Sequence, residues 1–301
     1  MASIITRQLT FKIGSRNILN TIDLHVPDNS IYGYLGRNGA GKSTTIKLLL
    51  GLLPDKADSI FIQGRSLKSD PEATYAQVGN LLEAPCYYSG LTVFENLKYL
   101  DIIHKKGSKR IDAVLEMVDL YREKNKKAGV LSMGMKQRLG IAMAIYHDPQ
   151  LLILDEPLNG LDPQGIVEMR DLFRQLKEQG KTIFLSSHIL TELEKVATHI
   201  GIIENGSMIF QGTKGELLSQ VDRQVSLRTT DPLRTAPLLQ SLGLTVLSQG
   251  QDTLVVQIGD DNQFDLMIKS LVQQCIPICA IESHTADLEQ IFMNLITKPN
   301  V

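Results

Sequence analysis

Cysteine is scarce: Cys86, Cys275 and Cys279 are the only three in 301 residues. Their number is odd and their spacing is not that of a metal-ligand set, so they supply neither a disulfide framework nor a zinc site. They read as reduced structural thiols of a cytosolic protein. Excess charge of one sign is missing too. Lys and Arg number 31 against 33 Asp and Glu, a net charge of −2, which gives no electrostatic ground for nucleic acid as a partner. No apolar run approaches the roughly 18 residues that span a bilayer, and the N-terminus carries no signal-peptide h-region. A role in transport would therefore take its pore from another chain. Internal repeats and low-complexity tracts are also absent. The composition that remains, 43% hydrophobic and 21% charged, is that of a globular protein long enough for a large core and two domains.

The stretch Gly36-Arg37-Asn38-Gly39-Ala40-Gly41-Lys42-Ser43-Thr44 fits G-x-x-x-x-G-K-[ST], a phosphate-binding loop. Its glycines let the backbone turn so that successive N–H groups converge on phosphate oxygens. Lys42 supplies positive charge to the terminal phosphates and Ser43 a hydroxyl for Mg²⁺. The apolar stretch 30–35 before it reads as a buried strand, and 46–50 after it as a helix whose positive end faces the phosphates.

Residues 4–11 and 18–26 alternate partially around a Gly14–Asn17 turn and predict one antiparallel hairpin. Strands follow at 59–64 and 77–83. Residues 85–147 change to helical spacing, with helices expected over 91–103 and 111–120. The turn between them, His104-Lys105-Lys106-Gly107-Ser108-Lys109-Arg110, has two readings: a solvated basic turn, or a surface facing acidic lipid headgroups. From 150 to 220 the pattern alternates again between apolar strands (151–154, 182–187), helices (167–179, 190–197) and a hairpin around Asn205-Gly206. This order predicts a mostly parallel sheet covered on both faces. After about 220 the order strand–helix–strand–strand–helix–strand, closed by a helix over 287–296, predicts a small α+β domain of split-βαβ type.

Leu151-Leu152-Ile153-Leu154-Asp155-Glu156 is a buried strand ending in two carboxylates. Asp155 can reach the Mg²⁺ shell, and Glu156 can polarise an attacking water. In Leu131-Ser132-Met133-Gly134-Met135-Lys136-Gln137-Arg138, Ser132 is a candidate N-cap and Gly134 permits close backbone approach, ahead of an apolar helix over 139–146. Such a helix N-terminus attracts anions.

Taken in order, phosphate loop, Ser132 segment, Asp-Glu strand, Pro157-Leu158-Asn159-Gly160-Leu161-Asp162 and His188 after a strand resemble the ATP-binding subunit of an ABC transporter over residues 1–220. The resemblance implies an α/β phosphate-loop ATPase fold with an antiparallel subdomain, the helical insert of 85–147, and a C-terminal extension over 221–301. It implies ATP and Mg²⁺ as cofactors. Its partners would be integral-membrane permease subunits and a second ATP-binding subunit in a head-to-tail dimer, at the cytoplasmic face of a bacterial membrane. By the same resemblance Ser132 and Gly134 contact the partner's ATP, Asp162 lies in the loop joining the two sites, and His188 acts beside Glu156.

Three positions depart from the family pattern. Met133-Gly134-Met135 stands where Gly-Gly-Gln is usual, which removes a polar contact to nucleotide. Glu83 takes the place of the usual glutamine, as a further carboxylate toward the metal, and in this it resembles exporters that protect bacteria from their own lantibiotics. Ile13 stands where an adenine-stacking aromatic is expected; Phe11 is either its substitute or a strand-core residue. Ala286-Asp287-Leu288-Glu289-Gln290-Ile291-Phe292 resembles the closing helix of bacitracin-resistance exporter ATPases, whose extensions support the dimer or regulate it. The resemblance thus implies an exporter ATPase for a lantibiotic or similar peptide. Drug or lipid efflux, and a soluble nucleotide-dependent regulator, remain the alternatives.

Overall fold

The computed structural model describes residues 2–82, 85–218, 223–284, 291, 292 and 295. Glu83 lies outside them, as does most of the helix expected over 287–296. The chain divides into two compact units, Met1–Lys214 and Gly215–Val301. The sequence placed that boundary near 220; the difference is the short helix Lys214–Leu218.

Ile31–Leu35 is buried at every residue, as an Ile-Tyr-Gly-Tyr-Leu strand with no polar face requires. It lies inside a six-stranded sheet ordered Ser207–Thr213, His199–Glu204, Ile31–Leu35, Thr182–Ser187, Leu151–Leu154, Val78–Leu81. Neighbours run parallel throughout, except for Ser207–Thr213 at one edge. Tyr32 and Tyr34 pack on Phe184 with ring centroids 5.7 and 5.2 Å apart. Their hydroxyls are not stranded: Tyr32 donates to Gln211 Oε1 at 2.9 Å and Tyr34 lies 3.2 Å from Thr45 Oγ1. Burial pushes both phenols well above their ordinary range.

The single hairpin expected over 4–11 and 18–26 is corrected. The chain divides it between two sheets. Ala2–Thr6 pairs with His25–Pro27 and Ile60–Ile62, whereas Leu9–Ile13 pairs with Arg16–Ile22. Side chains take over the ladder at the break. Gln8 adopts φ 49° and its N–H goes to Asp23 Oδ1 at 2.6 Å. Thr6 Oγ1 donates to Ile22 O and accepts from Leu24 N.

The insert contains the helices Val93–His104, with a Thr92/Glu95 capping box, and Ser108–Met117. Its last helix is Met133–Ile145, so the stretch read as preceding an apolar helix is that helix's first turns. Ser132 sets the start, its Oγ accepting from Met135 N at 3.3 Å. This helix lies directly on the edge strand Val78–Leu81. A Cβ on Gly79 would come 2.1 Å from Ala144 O, and one on Gly140 2.7 Å from Leu81 Cδ1.

In the second unit the strands are ordered Thr245–Gln249, Thr253–Ile258, Arg223–Thr229, Ile278–His284, all antiparallel. With helices Pro232–Ser241 and Asp261–Gln273 this is a ferredoxin-like βαββαβ unit. Its core includes Val225, Leu227, Leu239, Leu254, Val256, Met267 and Leu271.

Candidate active site

Parallel register brings three strand ends together. Leu35 is paired with Ser187, and Leu154 with Leu185 of the same strand. The phosphate loop, the Asp-Glu pair and His188 therefore leave one sheet at its C-terminal edge, where open α/β sheets bind ligands. They line a cleft of about 430 Å³ whose walls are Arg37, Asn38, Gly39, Gly41, Lys42, Ser43, Thr44, Asp155, Glu156 and His188, with Ile18 and Asn159.

The loop's shape follows from its glycines. Gly39 and Gly41 have φ of 84° and 117°, backbone that L side chains avoid. A Cβ on Gly36 would lie 2.6 Å from Ile203 O. Gly36 and Ala40 are not among the cleft-lining residues: Gly36 O accepts from Lys42 Nζ at 2.7 Å, and Ala40 O accepts from Gly206 N at 2.9 Å. Gly206 O in turn accepts from Asn20 N at 2.7 Å, so the Asn205-Gly206 turn clamps the loop against the strand Arg16–Ile22. Lys42 starts the helix Lys42–Leu49, whose N-terminal N–H groups and dipole favour an anion.

Ser186 holds the carboxylates in place. Its Oγ donates to Asp155 Oδ1 at 2.5 Å and accepts from Glu156 N at 2.9 Å. Glu156 sits at φ 49°, a left-handed conformation uncommon for a non-glycine residue and concentrated at functional sites. Its carboxylate lies between two donors, with Lys42 Nζ 3.6 Å from Oε1 and His188 Nδ1 3.0 Å from Oε2. An ionised carboxylate accepts only, so Nδ1 is the protonated nitrogen of His188 in this pairing. Glu192, close enough to interact with both, is pushed above the ordinary carboxylate range by burial first; Glu156 adds to that rise, while His188 and Arg170 oppose it.

Asp155 is 1% exposed, yet its Oδ2 has no hydrogen-bond partner. A buried, unpaired carboxylate oxygen beside a phosphate loop fits a divalent cation or a water of its shell. Among the described residues no group of three or more His, Cys, Asp and Glu could hold a metal alone. Ser43 and Asp155, both lining the cleft, are hard oxygen donors of the kind that Mg²⁺ takes beside phosphate oxygens.

Ser132, Gly134 and Asp162 are not among the residues lining this cleft. Ser132 is exposed and Gly134 half-buried at the start of Met133–Ile145. Asp162 is exposed and caps the helix Pro163–Glu178, its Oδ1 accepting from Gly165 N at 2.9 Å. Met133 is 61% exposed. Phe11 packs partly buried against the main core, and Ile13 is 62% exposed, so the strand-core reading of Phe11 holds. Sequence reasoning missed Ser186, Ile18 and Asn159 as site residues. Ser186 is one of two serines that end the strand Thr182–Ser187, and nothing in the sequence separates it from Ser187.

This arrangement defines a phosphate-loop nucleoside triphosphatase. A family model described as ABC transporter matches residues 19–159, and the bacitracin transport ATP-binding protein BcrA of Enterococcus faecalis is 38% identical over 299 residues, covering 97% of this chain and 95% of that protein. The chain belongs to the ATP-binding subunits of ABC transporters and is an ATPase. The lantibiotic transport ATP-binding protein SrtF of Streptococcus pyogenes is 39% identical over 198 residues, 66% of this chain and 85% of its own length. A solved structure described as the ATP binding subunit of an ABC transporter has a TM-score of 0.66 at 30% identity, covering 72% of this chain and 92% of that one. Among the described residues no helix is long and apolar enough to cross a membrane.

Proposed function

We propose that this ATPase drives an exporter that removes a lantibiotic or bacitracin-like peptide antibiotic. It works as a peripheral subunit on the cytoplasmic face of a bacterial membrane, with separate permease subunits and a second ATP-binding subunit, for which an identical copy is the favoured reading. The observation that most supports this cargo class is the likeness to a bacitracin transport ATP-binding protein over 97% of the chain, the C-terminal unit included.

In this reading the phosphates of ATP lie in the loop, against its N–H groups and Lys42. Mg²⁺ would be held by Ser43 Oγ and Asp155, and when bound it offsets phosphate charge. Glu83 is a further carboxylate toward that ion on sequence grounds. Glu156 takes the proton of the attacking water. His188, bonded to Glu156, fixes the direction of that carboxylate, and Lys42 stabilises charge gathering on the terminal phosphate. Ser132 and Gly134, which do not line the cleft of their own chain, meet the nucleotide of the second subunit. The C-terminal unit supports the dimer.

The test is survival of a sensitive bacterium carrying this gene and its permease genes, challenged with lantibiotics, bacitracin and unrelated drugs, beside a Glu156→Gln control. Protection against one peptide, lost in the control, is expected. Protection against no peptide of the panel would leave the ATPase reading standing and move the cargo to lipids or small drugs.

A further inference from the structure

A buried amide on the helix Met133–Ile145 reaches the turn that carries Glu156. Gln137 is 3% exposed, and its Nε2 donates to Pro157 O at 2.9 Å. A buried amide needs a partner to offset its lost hydration. Many main-chain carbonyls would serve for that, but this one belongs to the residue directly after Glu156. The turn needs holding. Glu156 at φ 49° is in a conformation that persists only where its surroundings over-determine it. Its N–H goes to Ser186 Oγ at 2.9 Å, on the sheet. Asn159 N donates to Glu156 O at 3.1 Å and closes the turn on itself. Gln137 fixes the carbonyl between those two bonds, and it does so from the helical insert.

The start of the same helix rests on the same loop. Met133 and Gly134 precede Gln137 by four and three residues and so share its side of the helix. A Cβ on Gly160 would lie 3.0 Å from Met133 Cγ, and one on Gly134 would lie 3.4 Å from Leu161 Cδ2. The next residue, Arg138, braces the helix against its other neighbours. It donates to Val118 O at 3.2 Å and pairs with Glu168 on Pro163–Glu178, the helix that Asp162 caps. Loop 156–162 is thus in contact with this helix at its first turn and again at Gln137. Close-packed elements pass small displacements on rather than absorbing them, so a shift at Ser132 to Gly134 arrives at Pro157.

We infer that Gln137 is a positioning residue for Glu156. It aims the Glu156 carboxylate according to whether nucleotide stands against the start of its own helix. This rests on the reading in which Ser132 and Gly134 meet the nucleotide of a second subunit. Hydrolysis in one cleft then answers to ATP bound in the other, by way of the hydrogen bond from Gln137 to Pro157. Gln137 itself does not line the cleft, and its effect on rate passes through Pro157 to the carboxylate.

The experiment is steady-state ATP hydrolysis by the full chain assembled with its permease subunits in detergent. Rates are measured against ATP concentration for the parent, Gln137→Met and Gln137→Asn, with urea midpoints and nucleotide binding of the full chain beside them. Methionine keeps the length of the side chain and loses the donor; asparagine keeps the donor on a shorter arm. The parent should respond cooperatively to ATP. Both variants should bind nucleotide as the parent does and lose cooperativity. Their kcat should fall on the order of 10- to 100-fold with little change in half-saturating ATP. Should Gln137→Met fail to fold, Gln137→Asn carries the test. A residue that only stabilises the fold would lower the urea midpoint and leave the Hill coefficient of the folded enzyme untouched. That result, or parent-like kcat and Hill coefficient in both variants, would overturn the inference and leave the second subunit standing. A parent that hydrolyses ATP without cooperativity would strike at the second-subunit reading and take the inference with it.

Discussion

Glu156 is the residue on which turnover depends most directly, because its two oxygens face Lys42 and His188 while its backbone is pinned by Ser186. Glu156→Gln keeps the shape and loses the proton acceptor, so phosphate release should fall at least about 100-fold while nucleotide binding persists. Parallel assays of phosphate release and nucleotide binding check this, and near-normal hydrolysis would remove Glu156 from the chemistry. His147 carries a different dependence. It is half-buried and stacked on His104, ring centroids 4.7 Å apart, and burial first, then His104, pushes its pKa down to about 4 from 6.5. As pH falls below about 6.5 the unfolded chain accepts a proton that the folded chain refuses until about pH 4, so stability drops across that window. Denaturant midpoints at pH 7 and pH 5 should therefore lie closer together in His147→Gln than in the parent. At this scale the sequence was readable wherever chemistry fixes residue type at short spacing, as in Gly39, Gly41, Lys42, Ser43 and the Asp155-Glu156 pair. Ser186 and Ile18 were not, because their place in the site depends on which strands are neighbours.

Among the elements, the helix Met133–Ile145 is closely seated. With no side chain at Gly79 the strand meets the helix backbone at Ala144, and with none at Gly140 the helix admits the side chains of Leu81 and Pro85. Gly140→Ala drives a Cβ to 2.7 Å from Leu81 Cδ1 and 2.8 Å from Pro85 Cβ and should cost about 1–3 kcal/mol in urea unfolding. Gly134→Ala is the contrast. Its Cβ meets only Leu161 Cδ2 at 3.4 Å, so stability should hold or rise slightly, while ATPase activity falls if a second subunit's nucleotide approaches there. Loss of stability in Gly134→Ala and none in Gly140→Ala would reverse this account. Apolar strands such as Leu151–Leu154 were legible because a fully buried strand leaves no room for another pattern. The first hairpin was misread because Thr6 and Asp23 bond to the backbone, and alternation of apolar residues does not report where side chains replace the ladder.

For the whole molecule, two units with separate cores predict two calorimetric transitions, of which ATP with Mg²⁺ raises only the one belonging to Met1–Lys214. At ligand near 100 times its dissociation constant the gain is about 2.7 kcal/mol. A single transition that moves as one with nucleotide would mean that the units melt together. The order of strands also governs how the molecule is made. Ile31–Leu35 leaves the ribosome early, but its two neighbours in the sheet are Thr182–Ser187 and His199–Glu204, roughly 150 residues later. At about 5–20 residues per second, this fully buried strand waits on the order of 10 s before either partner exists. The phosphate loop that follows it cannot be framed sooner. The newborn subunit is therefore expected to show that strand to chaperones, and to gain its hold on ATP only once both partner strands have been made.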